Sequence, residues 1–271
     1  MAISNVSLTA SARSNLVSLQ LTADLLGTSA SRLSSGKKVN TAIDDASAFF
    51  KSQSFLNRAS DLSAVKDDLS TSLQTVKAAS NAIDAITKIA QQLQGLVNSA
   101  QQTTDTTART TLATQFNTLR DQLDALVNDA TFNGTNLLKT SGALSVKFNE
   151  DNTSTLTISG VDLSATGLGI TAPSAAFSDA NISLAVLQLQ TALTTLRTTA
   201  STFGTNATLV QTRADFTRNL VNTLQIASDN LVLADINEEG ANTQALQARA
   251  QLGISALSIS GQQQSAILKL F

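Results

Sequence analysis

The chain has 271 residues, a formal net charge of −2, and neither cysteine nor histidine. That length is enough for a well-buried core and leaves room for two average domains, while the charge balance supplies no basic surface for nucleic acid. Without Cys or His there are no disulfides and no thiol site, the usual nucleophilic and acid–base triads cannot be built, and a zinc centre is argued against.

The N-terminal stretch MAISNVSLTASARSNL has no basic start followed by a long apolar run, so it does not read as a conventional secretory signal. No stretch approaches the roughly 18 apolar residues of a membrane span. Taken alone, these features point to the cytoplasm. Leu16, Leu19, Ala23, Leu26, Ala30 and Leu33 step by three and four, which is one stripe of a helix with a coiled-coil repeat.

Residues 33–46, LSSGKKVNTAIDDA, are helix punctuation. Gly36 sits where a helix ending near Ser35 takes a left-handed residue, and Lys37 and Lys38 lie at the negative end of that helix's dipole. Thr41–Asp44 resembles a capping box with Asp44 in the Glu/Gln position, and Asp44 and Asp45 suit a first turn. The next helix is therefore expected to begin between Thr41 and Asp45. Leu69, Val76, Ile83, Ala90 and Val97 then recur every seventh residue, with Ala79, Ile86 and Leu93 interleaved. At 1.5 Å per residue, some fifty residues without proline make a helix of roughly 75 Å.

Further stripes are Leu112, Phe116, Leu119, Leu123, Leu126 and Ala130; Val186, Leu189, Leu193, Leu196, Ala200 and Phe203; and Phe216, Leu220, Leu224, Ala227, Leu231 and Ala234. From about Ala241 onward Leu246, Ala250 and Leu257 share one side of a last helix. Between Asn133 and Ser178 the period changes. Asn133-Gly134 is turn chemistry. Leu144, Val146 and Phe148 alternate with polar residues, as do Leu156 and Ile158 beyond the NEDN turn at 149–152, which reads as a hairpin. Residues 164–176 read as a loop.

The expected fold is mainly α: a long antiparallel helical rod or coiled-coil bundle with a small β-hairpin at mid-chain and both termini at one end. Residues 1–35 and 236–271 each offer one narrow apolar stripe, too little to bury itself. Each other, or further copies of the chain, are the available partners.

RLSSGKKVNTAIDDA resembles the signature segment of bacterial flagellin, TFNGTNLL (131–138) resembles that family's mid-chain turn, and residues 231–271 resemble its C-terminal segment. The three occur in the family's order and together span nearly the whole chain. The resemblance implies a structural subunit of the flagellar filament, with no catalytic residue, cofactor or metal. It implies export through the flagellar type III apparatus and an extracellular location. Partners would be further copies of itself, the export apparatus and a chaperone, the filament cap, and hook-junction proteins, with no nucleic acid and no membrane span.

The implied assignment makes residues 1–42 the N-terminal inner-tube helix and spoke, 43–235 a rod domain with a hairpin at about 133–178, and 236–271 the C-terminal inner-tube helix. In the filament the terminal helices would be coaxial and order on assembly. The implied assembly and spoke residues are Leu16, Leu19, Leu26, Leu33, Ser34, Ser35, Gly36, Asn40, Asp44, Asp45, Leu246, Leu257, Ile267, Leu268 and Leu270. Only about 45 residues separate the helical arms, which resembles the short form without large outer domains. Many flagellins present an arginine, a leucine and a glutamate to the innate flagellin receptor. Here those positions fall on Gln92, Leu96 and Gln115, so weak agonism is expected.

Two other readings remain at this stage: a hook–filament junction protein, and a non-flagellar coiled-coil protein. An inserted protease would need H-E-x-x-H, and there is no histidine. The acidic pairs Asp44-Asp45, Asp67-Asp68, Glu150-Asp151 and Glu238-Glu239 read as caps or solvated faces. The N-x-S/T triplets at Asn5, Asn133, Asn152, Asn181 and Asn206 are what chance supplies in a chain this rich in Ser and Thr. The resemblance makes O-glycosylation near the hairpin the better expectation.

Overall fold

The computed structural model describes residues 10–173 and 176–268. Among them are α1 (Ala10–Ser35), α2 (Ala46–Gln101), α3 (Thr106–Asp129), strands β1 (Ala143–Lys147) and β2 (Thr155–Ser159), α4 (Asp179–Val232) and α5 (Ile236–Leu268). The fold is mainly α with one antiparallel hairpin. It divides into two compact units: one takes in the described residues up to Arg58 and from Thr223, the other is Ala59–Asn222.

In the unit Ala59–Asn222, the core follows the seven-residue repeat of α2. Leu69, Val76, Ile83, Ala90 and Val97 are buried, as are Ala79, Ile86 and Leu93, and all join one apolar cluster with α3, the hairpin and α4. Apolar side chains recurring every 3.5 residues on average keep one seam of a helix inward along its whole length. The third and fourth stripes face the same cluster through Phe116 and Leu123 on α3, and through Leu189, Leu193, Leu196 and Phe203 on α4. Phe116 and Phe177 meet edge-on at 5.5 Å, an arrangement that places a positive ring edge on a negative face.

Asp105 caps α3 by accepting from the Ala108 N–H at 2.8 Å. The Arg109 guanidinium bonds the Thr103 carbonyl and pairs with Asp179 at 2.8 Å, tying the start of α3 to the start of α4. Asn136 closes the far end of α3: its amide donates to the Val127 carbonyl at 2.7 Å and its carbonyl accepts from Leu138 N–H. The hairpin pairs Leu144 with Ile158 and Val146 with Leu156. Val146 and Ile158 point into the core, and Arg213 lies over the Phe148 ring at 5.1 Å.

One expectation changes here. The stripes beginning at Val186 and Phe216 lie on one helix, α4. Phe216 is exposed; the inward line runs through Ala214, Thr217, Val221 and Leu224, because the seam keeps its heptad register and Phe216 lies about 100° to 200° away from it. The described residues of 164–176 form a loop, as expected, and it is partly buried. Leu163, Ala165, Leu168 and Ile170 are buried in the cluster, and Ala165 N–H donates to the Asp124 carboxylate at 2.7 Å.

Candidate assembly interface

The other unit contains α1, the 36–45 linker and α5. Gly36 ends α1 with φ 69°, and its N–H returns to the Arg32 carbonyl at 2.8 Å. That is the left-handed helix end expected of glycine. The linker then lies along the α4–α5 junction. Lys38 and Val39 N–H both donate to the Val232 carbonyl, and Ala234 N–H donates to the Gly36 carbonyl. Val39 is buried there. Ser35 hydroxyl donates toward the Arg32 and Lys37 carbonyls and accepts from Lys37 N–H.

The cap of α2 lies four residues beyond the one the capping-box reading expected. Asp45, not Thr41, is the cap, accepting from Ala48 N–H at 2.9 Å. Thr41–Asp44 closes a separate turn, with Asp44 N–H on the Thr41 carbonyl. The Asp44 carboxylate accepts from Thr41 N–H, Asn40 N–H and Thr41 hydroxyl at 2.8, 3.0 and 3.1 Å. These donors, the Thr41 N–H first, hold its pKa below the ordinary carboxylate value. The reach-back bond of a capping box is present, but the Thr41 hydroxyl donates to the same carboxylate instead of accepting from the helix. The helix start therefore passes to Asp45.

Helices α1 and α5 pair antiparallel: Ser29 meets Glu239 and Thr243, while Leu19 lies beside Gly253, where an added Cβ would come within 2.9 Å of its Cδ1. Leu16, Leu19 and Leu26 are half-buried on this pair, as are Leu246 and Leu257. Leu33, Ser34, Ser35, Asn40, Asp44 and Asp45 are exposed. Ile267 and Leu268 lie in the last turn of α5 with their side chains outside the described set, and Leu270 lies outside the described residues.

The inward line of α1 is rotated from the apolar stripe. Ala23, Ala30 and Leu33 are exposed, while Ala12, Thr22 and Ser29 are buried. The cause is a polar cluster that apolar periodicity does not reveal. Ser29 hydroxyl lies 2.6 Å from a Glu239 carboxylate oxygen and 3.1 Å from the Thr243 hydroxyl. Arg32 reaches the other carboxylate oxygen at 3.2 Å. Glu239 is only 9% exposed, so its charge is held by partners and not by water. The one hint in the sequence is that Ser29 and Thr22 continue the seven-residue spacing of the line.

With that face used, α1 still shows Val17, Leu21 and Leu25 to solvent, and α5 shows Leu252, Ile254 and Ile259. An apolar row with i, i+4 spacing on the outside of a two-helix pair marks a surface made to be covered.

In the other unit, Asn133 and Gly134, at φ 48° and 76°, turn the chain between Phe132 and Thr135, which exchange both backbone hydrogen bonds. Two successive left-handed residues make a type I′ turn, for which Asn-Gly is suited. Gln92 and Gln115 are exposed and Leu96 is half-buried. Among the described residues there is no group of three His, Cys, Asp or Glu able to hold a metal ion, and no helix long and apolar enough to cross a membrane.

The family model for the bacterial flagellin N-terminal helical region matches residues 3–143. Flagellin FljO of Caulobacter vibrioides is 32% identical over 273 aligned residues, covering 100% of both chains. Flagellin FljK of the same organism is 30% identical, again with 100% of both chains covered. A crystal structure of Bacillus cereus flagellin aligns with 55% of this chain and 88% of its own, at 18% identity and a TM-score of 0.49.

Proposed function

The chain belongs to the bacterial flagellin family, and from that premise we propose that its α1/α5 pair is the surface through which copies polymerise. The protein is a structural subunit of the flagellar filament and serves motility; flagellins are a structural, non-enzymatic family. The observation that carries the assembly reading is the double-sided character of α1 and α5. One face of each is spent on the other helix, and further apolar side chains remain outside, in a row on α1 and on both flanks of α5. Two helices alone bury too little to offset the cost of ordering them. Neighbouring copies supply the missing burial, so the helices become fully stable in the polymer.

A contact between unlike surfaces does not close on a pair, and repetition of it builds a helical tube. Rotated at its base, such a tube acts as a propeller. Residues 33–45 join the terminal pair to the long helices as the spoke. The wider set of partners forms part of the same proposal: export apparatus and chaperone, filament cap and hook-junction proteins, with secretion as the route to the extracellular filament.

The test is assembly of purified full-length chain beside a version trimmed of about 40 residues at each end, read by sedimentation and electron microscopy after ammonium sulfate is added. Tubes from the full chain and soluble helical monomers from the trimmed one are expected. Small discrete oligomers from both would sink the reading.

We further propose that this flagellin is a weak agonist of the innate flagellin receptor, because neutral glutamines stand at 92 and 115. Strong activation of a reporter cell line at low dose of purified monomer would refute that.

A further inference from the structure

Ile43 is 96% exposed, the most exposed of the large apolar residues described. It does not sit on a loose tether. Asp44, its neighbour, accepts three hydrogen bonds from Asn40 and Thr41, and the Thr41 carbonyl accepts from Asp44 N–H. The short turn is thus fastened on itself and holds one branched aliphatic side chain outward. An isoleucine displayed on a pre-organised support loses little further freedom when it docks. It also touches almost nothing of its own chain, so its seat lies elsewhere.

The same unit carries a groove of about 330 Å³ between α1 and α5. Leu25, Ala245 and Leu246 form its apolar wall; the rest of the lining is polar and includes Arg32, Arg249 and the Glu239 carboxylate that pairs with Arg32. Arg249 forms no ion pair among the described residues, and the Arg32 side chain is 41% exposed although it pairs with Glu239. The knob is flanked on its C-terminal side by the carboxylates of Asp44 and Asp45. An apolar tip with two anions beside it matches an apolar wall with Arg249 beside it, the cation of the groove that Glu239 does not already compensate.

We propose that Ile43 of one subunit seats in the α1/α5 groove of a neighbouring copy. This rests on the filament-subunit reading above and names a specific contact within it. Knob and groove are different places on the chain, so the contact is heterologous: each copy that fills a groove still offers its own, and the series does not close on a dimer. The flanking charges set the angle and register of entry, and the buried isoleucine supplies the affinity.

The chain has no native cysteine, which makes cross-linking selective. Full-length chain carrying both Ile43→Cys and Ala245→Cys is polymerised, oxidised and run on a non-reducing gel, beside each single variant. A ladder of covalent multimers from the double variant alone is expected. Ile43→Ser should leave the thermal midpoint of the unassembled chain unchanged and raise the critical concentration for assembly about tenfold or more, with Ile43→Leu close to the parent. If the parent chain itself does not polymerise, the filament reading fails. If it polymerises and Ile43→Ser matches it, with no ladder from the double variant, the knob proposal falls while the filament reading stands. Dimers from Ile43→Cys alone, or a disulfide confined within one chain, also overturn it. Loss of assembly in Ile43→Ser without a ladder removes the groove as the seat.

Discussion

At Gly36 the backbone, not the available space, demands glycine: φ is 69°, yet an added Cβ would meet nothing within 4 Å. An L-residue forced there loses roughly 1–2 kcal/mol. Gly36→Ala should lower full-chain stability in urea by about that amount, and Gly36→Asn by less, since asparagine tolerates the left-handed region. Equal losses from both would show that something other than φ is at issue. Asp44 makes a pH prediction. Its pKa is depressed in the folded chain, chiefly by the Thr41 and Asn40 N–H groups. The stability it contributes is therefore present in full above the unfolded carboxylate value of 3.8, and is lost as pH falls through the lower folded value. Asp44→Asn should show a shallower decline of urea midpoint in that acid window than the parent, and parallel declines would remove Asp44 from the account.

The long helices show why burial, not residue size, sets the cost of a substitution. Leu93 is fully buried on the α2 seam, whereas the larger Phe216 of α4 is 59% exposed. Leu93→Ala should cost about 2–5 kcal/mol, and Phe216→Ala about 0.5 kcal/mol or less in the unassembled chain. The opposite order in urea melts would mean the seam is misplaced. In the α1/α5 pair the decisive group is polar. Glu239→Ala leaves Ser29 without its strongest partner and should cost roughly 1–3 kcal/mol. In a double-mutant cycle, Ser29→Ala should add much less on top of it than alone. Additive losses would show that the two residues are not coupled. Heptads of Leu, Val, Ile and Ala on α2 were legible because, on the two seam lines from Leu62 to Ala100, only Ser72 is polar. The α1 line was not, because Thr22 and Ser29 occupy seam positions and Leu33 does not.

At the scale of the molecule, α1 and α5 are two-sided, and only one side of each is satisfied by this chain. Polymerisation should therefore stabilise them more than it stabilises the unit Ala59–Asn222. Hydrogen exchange should record this as slowed amide exchange in α1 and α5 on assembly, with much smaller change in the buried parts of α2 and α3. Uniform slowing throughout would argue that the whole chain orders together. The low count of charged side chains suits such a molecule: its helices pack with few ions to desolvate.

Period and punctuation are local quantities, and the sequence by itself determined them. The seven-residue repeat of α2, the alternation of Leu144, Val146, Leu156 and Ile158, the helix stop at Gly36 and the Asn133-Gly134 turn each depend on residues a few positions apart. Tertiary structure alone decided which face of a helix turns inward when polar residues share the line. It also decided the burial of Leu163 and Ile170 and the exposure of Phe216 and Ile43. Those choices depend on partners far along the chain. Ser29 and Glu239 are 210 residues apart, and no local pattern around either records that a carboxylate will stay buried because the other hydroxyl is there to hold it.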